Sequence, residues 1–308
     1  MLFPFARPRW LLVLLAMSLG RMATAAESCQ FRFVPARIGE VSCQELDFLI
    51  DLKLTISHDG RELYKSVKSV ERVQTRWTQV LAMQQDVVTQ VAVRFDVAKE
   101  TQISDNRPAE PVDEPVARRT YTITRSGQDL LVSSSDGSTP SKEEAEYLAR
   151  AMDTVGRPNA LGRFLHGREF VRGTSIDVPP EIAREIFGFR DAVGEVASLT
   201  LALSETHATT RGNYALLDAK MTARSPEEPH MAMRIEGQMQ LDIDTCRVVG
   251  FVWEGPVTLS DKRGEGAEAM MLSGAGSLAV EMRSKRAATW PAPLKANDYA
   301  SSPSSSRK

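Results

Sequence analysis

Five stretches between Glu195 and Met282 alternate apolar with polar residues, and this pattern is the strongest constraint on the fold. They cover residues 196–203, 212–221, 231–241, 247–259 and 269–282, with turn-forming residues between them. Successive side chains of a β-strand point to opposite faces, so a strand with one buried face shows this alternation. The pattern predicts a meander of long antiparallel strands.

A similar pattern in residues 46–135 predicts a second set of strands. Apolar residues at 52, 54 and 56 alternate with polar ones and lead into Asp59-Gly60, a dipeptide typical of a tight hairpin turn. Residues 65–78 carry valine at every third position, which also suits a helix, but their β-branched content favours a strand. The acidic, proline-containing segment 104–116 is expected to be an exposed loop.

Two helices are predicted between the strand sets. Ser141 and Glu144 form a capping box ahead of an apolar stripe, and Pro179 opens a second helical segment. A sheet of so many strands is expected to twist and curl rather than stay flat. The predicted fold class is therefore α+β and β-dominated: a curved, half-barrel-like antiparallel sheet covered by two helices, near 141–155 and 179–187.

The first 25 residues have the three parts of a secretory signal peptide. Arg7 and Arg9 precede an apolar run at 10–19 and small residues at 23–26. The apolar run is too short to cross a membrane, which takes roughly 20 residues. We expect cleavage after Ala25, export to the periplasm or the cell exterior, and no transmembrane segment in the mature chain.

The mature chain is expected to form one β-rich domain at 26–284. The strand patterns also suit two similar halves, 46–135 and 194–284, joined by a helical segment at 139–190. Residues 285–308 are basic and serine-rich and are predicted to be a disordered tail. The sequence carries 38 basic and 40 acidic residues of scattered sign, which gives no electrostatic footprint for nucleic acid.

Three cysteines are present, and two of them are expected to pair in an oxidising compartment. Cys29 with Cys43 is the preferred disulfide because it closes a short loop at the mature N-terminus. Pairs that include Cys246 stay open, since spacing does not fix connectivity. Lipidation of Cys29 is the competing fate, and the charged Glu27 beside it argues against that fate.

The candidate ligand-binding residues lie in a glycine- and arginine-rich loop at 156–173. They are Arg163, His166, Arg168 and Arg172. Arginine side chains bind anionic groups as forks, and glycine lets the backbone approach a ligand; a plain linker is the alternative interpretation. The sequence has no nucleotide-phosphate spacing, no histidine pair at metal spacing and no nucleophile motif. We therefore predict no cofactor, no metal and no catalytic residue.

The order of these features, with the strand pattern at 237–255, resembles uncharacterised secreted domains of envelope-rich bacteria. It is also similar in outline to the lipoprotein carrier fold, in which helices cover an open antiparallel half-barrel. The resemblance spans about 46–282 and implies an apolar cavity between sheet and helices. It implies non-catalytic binding of a lipid-like or other apolar ligand. The alternatives are a structural or partner-binding envelope protein and, third, a hydrolase on a cup-shaped sheet.

Overall fold

The chain folds around one large antiparallel sheet. The computed structural model describes residues 27–105, 107–187, 195–210, 212–225, 230–264 and 269–292. The strands are β1 (Ser28–Gln30), β2 (Val41–His58), β3 (Arg61–Gln84), β4 (Val87–Ser104), β5 (Arg107–Pro108), β6 (Val112–Asp113), β7 (Thr120–Ser126), β8 (Asp129–Ser134), β9 (Glu169–Val171), β10 (Ser175–Val178), β11 (Glu195–Thr209), β12 (Gly212–Arg224), β13 (His230–Asp242), β14 (Arg247–Arg263) and β15 (Met270–Ala287). The helices are α1 (Lys142–Ala151), α2 (Ala160–Leu165) and α3 (Pro180–Phe187).

Thirteen of these strands form the sheet, in the order β10-β11-β12-β13-β14-β15-β2-β3-β4-β7-β8, with β5 and β6 also paired to β4. Strands β1 and β9 form a separate pair. The two strand sets merge where β15 pairs with β2 along its whole length, from Met270 opposite His58 to Ala287 opposite Val41. The sheet is curved and, within the described residues, open at β10 and β8. This confirms the predicted β-dominated α+β class.

Most of the predicted elements are present. All five strands expected after residue 195 form, and Asp59-Gly60 joins β2 to β3 as a hairpin turn. Residues 65–78 are strand, within a β3 that continues to Gln84. The capping box of α1 is also present: the Ser141 hydroxyl accepts from the Glu144 N–H at 3.2 Å, and the Glu144 carboxylate accepts from the Ser141 N–H at 2.7 Å. The short helix α2 was not predicted.

Residues 107–113 of the segment 104–116 are exposed as expected, but the segment is not entirely a loop. Two-residue strands β5 and β6 pair with β4 inside this segment. Val116, the last residue of this segment, is fully buried in the hydrophobic cluster formed with β4, β7 and α1. The predicted signal peptide and residues 293–308 lie outside the described residues, whereas β15 runs to Ala287, three residues into the predicted tail.

Both hydrophobic cores lie on the same face of the sheet, which we call the inner face. The larger core joins strands β10 to β15 with α2, α3 and Phe31. The smaller core joins β4 and β7 with α1, through residues such as Phe95, Tyr121 and Leu148. The register places these side chains on one face because directly paired residues of antiparallel strands point the same way. The helices therefore cover the two flanks of one surface.

Two glycines permit close approach of strands at the centre of the sheet. A Cβ atom added to Gly255 in β14 would overlap the Arg234 carbonyl of β13, and one added to Gly276 in β15 would overlap the Asp51 carbonyl of β2. Any other residue at either position would push the neighbouring strand away. The central strands therefore depend on glycine for their spacing.

Candidate functional site

A row of partly exposed apolar side chains runs along the centre of the inner face. We call it the inner stripe. It consists of Phe48, Ile50, Leu52, Leu54 and Ile56 of β2, Val280 of β15 and Phe251 of β14. The five β2 residues occupy alternate positions of an 18-residue strand, so they share one face. Several of them pack against the larger core at its border.

The helices leave the inner stripe between them. Helix α3 packs on β11, and α1 packs over the other flank, near β4, β7 and β8. The space beneath α2 and α3 is filled by fully or nearly buried side chains, including Phe31, Leu161, Leu165 and Phe170. The predicted apolar cavity under the helices is therefore occupied by the protein's own core. The accessible apolar surface lies beside the helices instead.

One end of the inner stripe is bounded by segments that cross the sheet. The N-terminal segment 31–40 links the turn after β13 to β3: the Arg32 N–H donates to the Ile243 carbonyl at 2.8 Å, and the Gly39 N–H donates to the Val80 carbonyl at 2.8 Å. At the opposite end, Tyr64 and Met270 are 52% and 48% exposed. The inner stripe thus runs from the end that residues 31–40 cross, which we call the crossed end, to an end with exposed apolar side chains.

A polar row lies next to the inner stripe on β3. Lys68, Arg72, Gln74 and Arg76 pair in register with β2 and share its inner face. The Lys68 ammonium donates to the Ser104 hydroxyl at 2.7 Å, and the Gln74 amide donates to the Tyr147 hydroxyl at 2.6 Å. The stripe therefore has an apolar side on β2 and a polar, basic side on β3.

The four predicted ligand-binding residues all contact the protein itself: three of them reach distant segments, and Arg168 contacts the adjacent helix α2. Arg163 forms an ion pair with Asp86 at 2.8 Å, the His166 Nδ1 accepts from the Phe33 N–H at 3.0 Å, the Arg168 Nε donates to the Phe164 carbonyl at 2.6 Å, and Arg172 pairs with Glu27 at 3.1 Å. These contacts tie α2 and β9 to the N-terminal segment and to the β3–β4 turn. The structure does not gather the four side chains around one opening, and a ligand role for them stays a prediction.

The inner stripe itself carried a sequence signal. Apolar residues alternate at 48–56, whereas the residues that β3 pairs with them are largely polar or charged. Because the neighbouring face of β3 is largely polar, the hydrophobic core does not continue across it, and the apolar face of β2 is left partly exposed. The Asp59-Gly60 hairpin predicts that β3 lies beside β2, but the sequence does not show that β15 lies on the other side of β2, so it does not place the stripe within the sheet.

The predicted disulfide is not present. Cys29, Cys43 and Cys246 are all free thiols. Cys29 packs against the larger core on the inner face, whereas Cys43 occupies a position of β2 whose side chain points away from that face. Burial, together with the charge of Glu27, raises the pKa of Cys29 to about 11. Burial also raises the pKa of Cys246 to about 12. Both thiols are therefore protonated at neutral pH.

A small pocket at the crossed end of the sheet is a weaker candidate. It has a volume of about 200 Å³ and is bordered by residues that include Cys29, Thr206 and Asn213. Pockets that enclose drug-sized ligands usually measure 300 Å³ or more.

In the described part of the chain, no helix is long and apolar enough to span a membrane, and no three His, Cys, Asp or Glu side chains are grouped to hold a metal ion.

Comparison with known proteins gives a distant structural likeness. No protein-family model matches the chain, and no curated protein matches it. A solved structure concerning lipid–protein interactions in lipovitellin is similar to it, with a TM-score of 0.38 and 11% sequence identity. The similarity covers 84% of this chain and 27% of the lipovitellin chain. A likeness of this size supports no statement about what this chain binds.

Proposed function

We propose that the chain is an exported, non-catalytic binding protein whose lipid-like or other apolar ligand lies along the inner stripe. The observation that carries this proposal is the row of partly exposed apolar side chains between the helix-covered flanks. Contiguous exposed apolar surface on a folded protein commonly marks a binding site. The proposal includes export, which the predicted signal peptide supports.

The shape of the surface favours a chain-like ligand. Helices on both flanks add a layer about 10 Å thick to the sheet. The uncovered floor spans about four strands, β14, β15, β2 and β3, and the outer two lie roughly 15 Å apart at the usual strand spacing. A recess of that width suits one or two extended hydrocarbon chains. A globular protein surface is too broad to reach its floor.

Binding of a fluorescent apolar probe tests the proposal directly. We would titrate the purified mature chain with N-phenyl-1-naphthylamine and displace the probe with oleyl alcohol. Val280→Glu places a charge in the inner stripe, between Phe48 of β2 and Trp253 of β14, and should weaken probe binding at least about tenfold, because an unpaired charge is costly in an apolar site. Val252→Glu is the matched control, since Val252 is 56% exposed on the outer face of β14.

The result that would overturn the proposal is equally clear. Native mass spectrometry and solvent extraction of the protein from its own cells should return a bound apolar compound. If no compound is found and the probe shows no saturable binding to the folded wild-type chain, the inner stripe is not a ligand site.

A protein partner is the second candidate, and one observation favours it. Strand β8 is an edge of the sheet in the described residues, and Leu131 on it is 57% exposed. Open edges can add a strand from another chain. A photo-crosslinking amino acid at position 131 should capture a reproducible envelope protein in whole cells if this function is real. The same probe at Val112 on β6, which is 66% exposed, is the control.

A further inference from the structure

Arg76 is a partly buried cation on the inner face without a carboxylate partner among the described residues. Its Nη1 donates to the Ala151 carbonyl at 3.1 Å and lies 3.4 Å from the Met152 sulfur. Its Nη2 donates to the Gln44 side-chain oxygen. Its Nε is buried and has no hydrogen-bond partner. All three acceptors are neutral, so no anion is hydrogen-bonded to Arg76 within the part of the chain that the structure describes.

The neighbouring Arg72 shows the usual arrangement. It lies four residues earlier on the same face of β3 and is 53% exposed. Glu100 pairs with it at 2.6 Å, and Glu114 lies 3.5 Å away. Buried charges are normally paired because desolvation is costly. Arg76, the more buried of the two arginines, is the one that lacks a counter-ion.

Helix capping explains only one edge of the Arg76 guanidinium. The last carbonyls of a helix carry partial negative charge, so the contact of Nη1 with Ala151 at the end of α1 is favourable. The Nε and Nη2 groups lie on a different edge of the guanidinium, where Gln44 supplies the acceptor for Nη2 and the buried Nε has no hydrogen-bond partner. Such an edge presents two parallel N–H donors, which match the two oxygens of a carboxylate or phosphate. Burial also lowers the pKa of Arg76, against the opposing effect of Tyr147, which means that the charged form lacks stabilisation.

We propose that the ligand is a single-chain amphiphile with an anionic head group, which the Nε and Nη2 edge of Arg76 binds while the hydrocarbon chain lies along the inner stripe. This inference rests on the proposed function and specifies the chemistry of its ligand. The head group takes the place of the Gln44 oxygen, and the Gln44 amide can then turn its NH₂ group toward the anion.

The geometry of β2 connects the two parts of this site. Gln44, which contacts Arg76, and the stripe residues Phe48 to Ile56 occupy even positions of the same strand, so they share one face. From Gln44 to Ile56 the strand extends about 40 Å at about 3.4 Å per residue. A long acyl chain fits along this path. The head group then sits toward the crossed end of the stripe, and the chain points toward the exposed end.

Matched ligands with and without a charge test the inference. We would measure displacement of N-phenyl-1-naphthylamine by oleate, oleoyl lysophosphatidate and oleyl alcohol. Arg76→Gln should weaken binding of at least one anionic ligand by about 10- to 100-fold, the usual worth of a charged hydrogen bond. Affinity for oleyl alcohol should change less than about threefold. Whichever anion loses affinity identifies the head group as a carboxylate or a phosphate.

Two further variants sharpen the test. Gln44→Glu supplies an internal carboxylate to the same guanidinium edge, so it should weaken anion binding as Arg76→Gln does without lowering the melting temperature. Arg72→Gln removes a charge from the same strand and face but leaves Arg76 intact, and it should have little effect. Gln44→Glu also keeps the inference testable if Arg76→Gln does not fold.

The outcomes separate this inference from the proposed function. If oleyl alcohol and both anions bind equally well, and neither variant changes their affinities, the head-group site is refuted while the apolar site stands. If Arg72→Gln weakens the anions as much as Arg76→Gln does, a general basic surface attracts them and the assignment to Arg76 is wrong. If no ligand binds the folded wild type, the proposed function itself fails.

Discussion

Glu144→Gln should destabilise the fold far more than a change of the same kind one residue away. Glu144 is 4% exposed, and its carboxylate accepts hydrogen bonds from the Tyr121 hydroxyl, from the Arg119 guanidinium at 2.6 Å and from the Ser141 N–H at 2.7 Å. A glutamine amide has only one oxygen, so its NH₂ group must face a donor. Leaving one buried donor without an acceptor costs about 1–3 kcal/mol. The unsatisfied donors are either the Ser141 N–H of the capping box or the Tyr121 and Arg119 groups, depending on which way the amide turns. The expected loss is about 1–3 kcal/mol.

Urea denaturation at pH 7 measures this loss, with Glu143→Gln as the control. Glu143 lies in the same helical turn but is exposed, so its change should cost less than about 0.5 kcal/mol. Burial alone raises the pKa of Glu144, but the bonds from Tyr121 and Ser141 and the charge of Arg119 outweigh it, and the net pKa is lowered. The stabilisation is therefore complete above the ordinary glutamate pKa of 4.5 and is lost as the pH falls through the lower folded value. Equal stabilities of the two variants at pH 7 would refute the reasoning.

Three further predictions concern the sheet, the thiols and the predicted loop site. Gly276→Ala should destabilise the protein by about 1–3 kcal/mol in urea denaturation, because its Cβ has no room, whereas Ser277→Ala should be nearly neutral. In urea without reductant, all three thiols should react with a disulfide reagent, whereas in the native protein at pH 8 they should react slowly. Fewer than three reactive thiols in urea would reveal a disulfide. Arg163→Ala should cost no more than about 1 kcal/mol, since its pair with Asp86 is largely exposed, and leave probe binding unchanged; weakened binding would restore the loop as a ligand site.

Local patterns predicted the elements of the fold well. Alternation located the strands after residue 195, Asp59-Gly60 located a hairpin, and the Ser141 and Glu144 pair located the start of α1. Each of these signals arises within a few residues of chain, where backbone geometry and side-chain type are directly linked. The class of the fold followed from their number and order.

The same local patterns do not predict which distant strands pair or which faces of the sheet are covered. The sequence does not show that β15 pairs with β2, so it could not place the inner stripe at the centre of one sheet. Nor does the sequence show that the side chains of Cys29 and Cys43 lie on opposite faces of the sheet. For this reason cysteine spacing alone suggested a disulfide. The cavity expected beneath the helices is filled because Phe31 and α2, neither assigned to a core beforehand, supply the packing there.

The lengths of the strands bear on the choice between a ligand and a protein partner. The edge strands β8 and β10 have six and four residues, whereas the central β2, β3 and β15 have 18, 24 and 18. Short edges offer few unpaired backbone groups, and proteins use them to limit association through the sheet. The longest strands carry the uncovered apolar side chains in a recess between helices, where a flat partner surface has no access. On the inner face, the partly exposed apolar side chains therefore lie on long central strands and not at an edge, which favours the proposed amphiphile over a partner that pairs with the sheet edge.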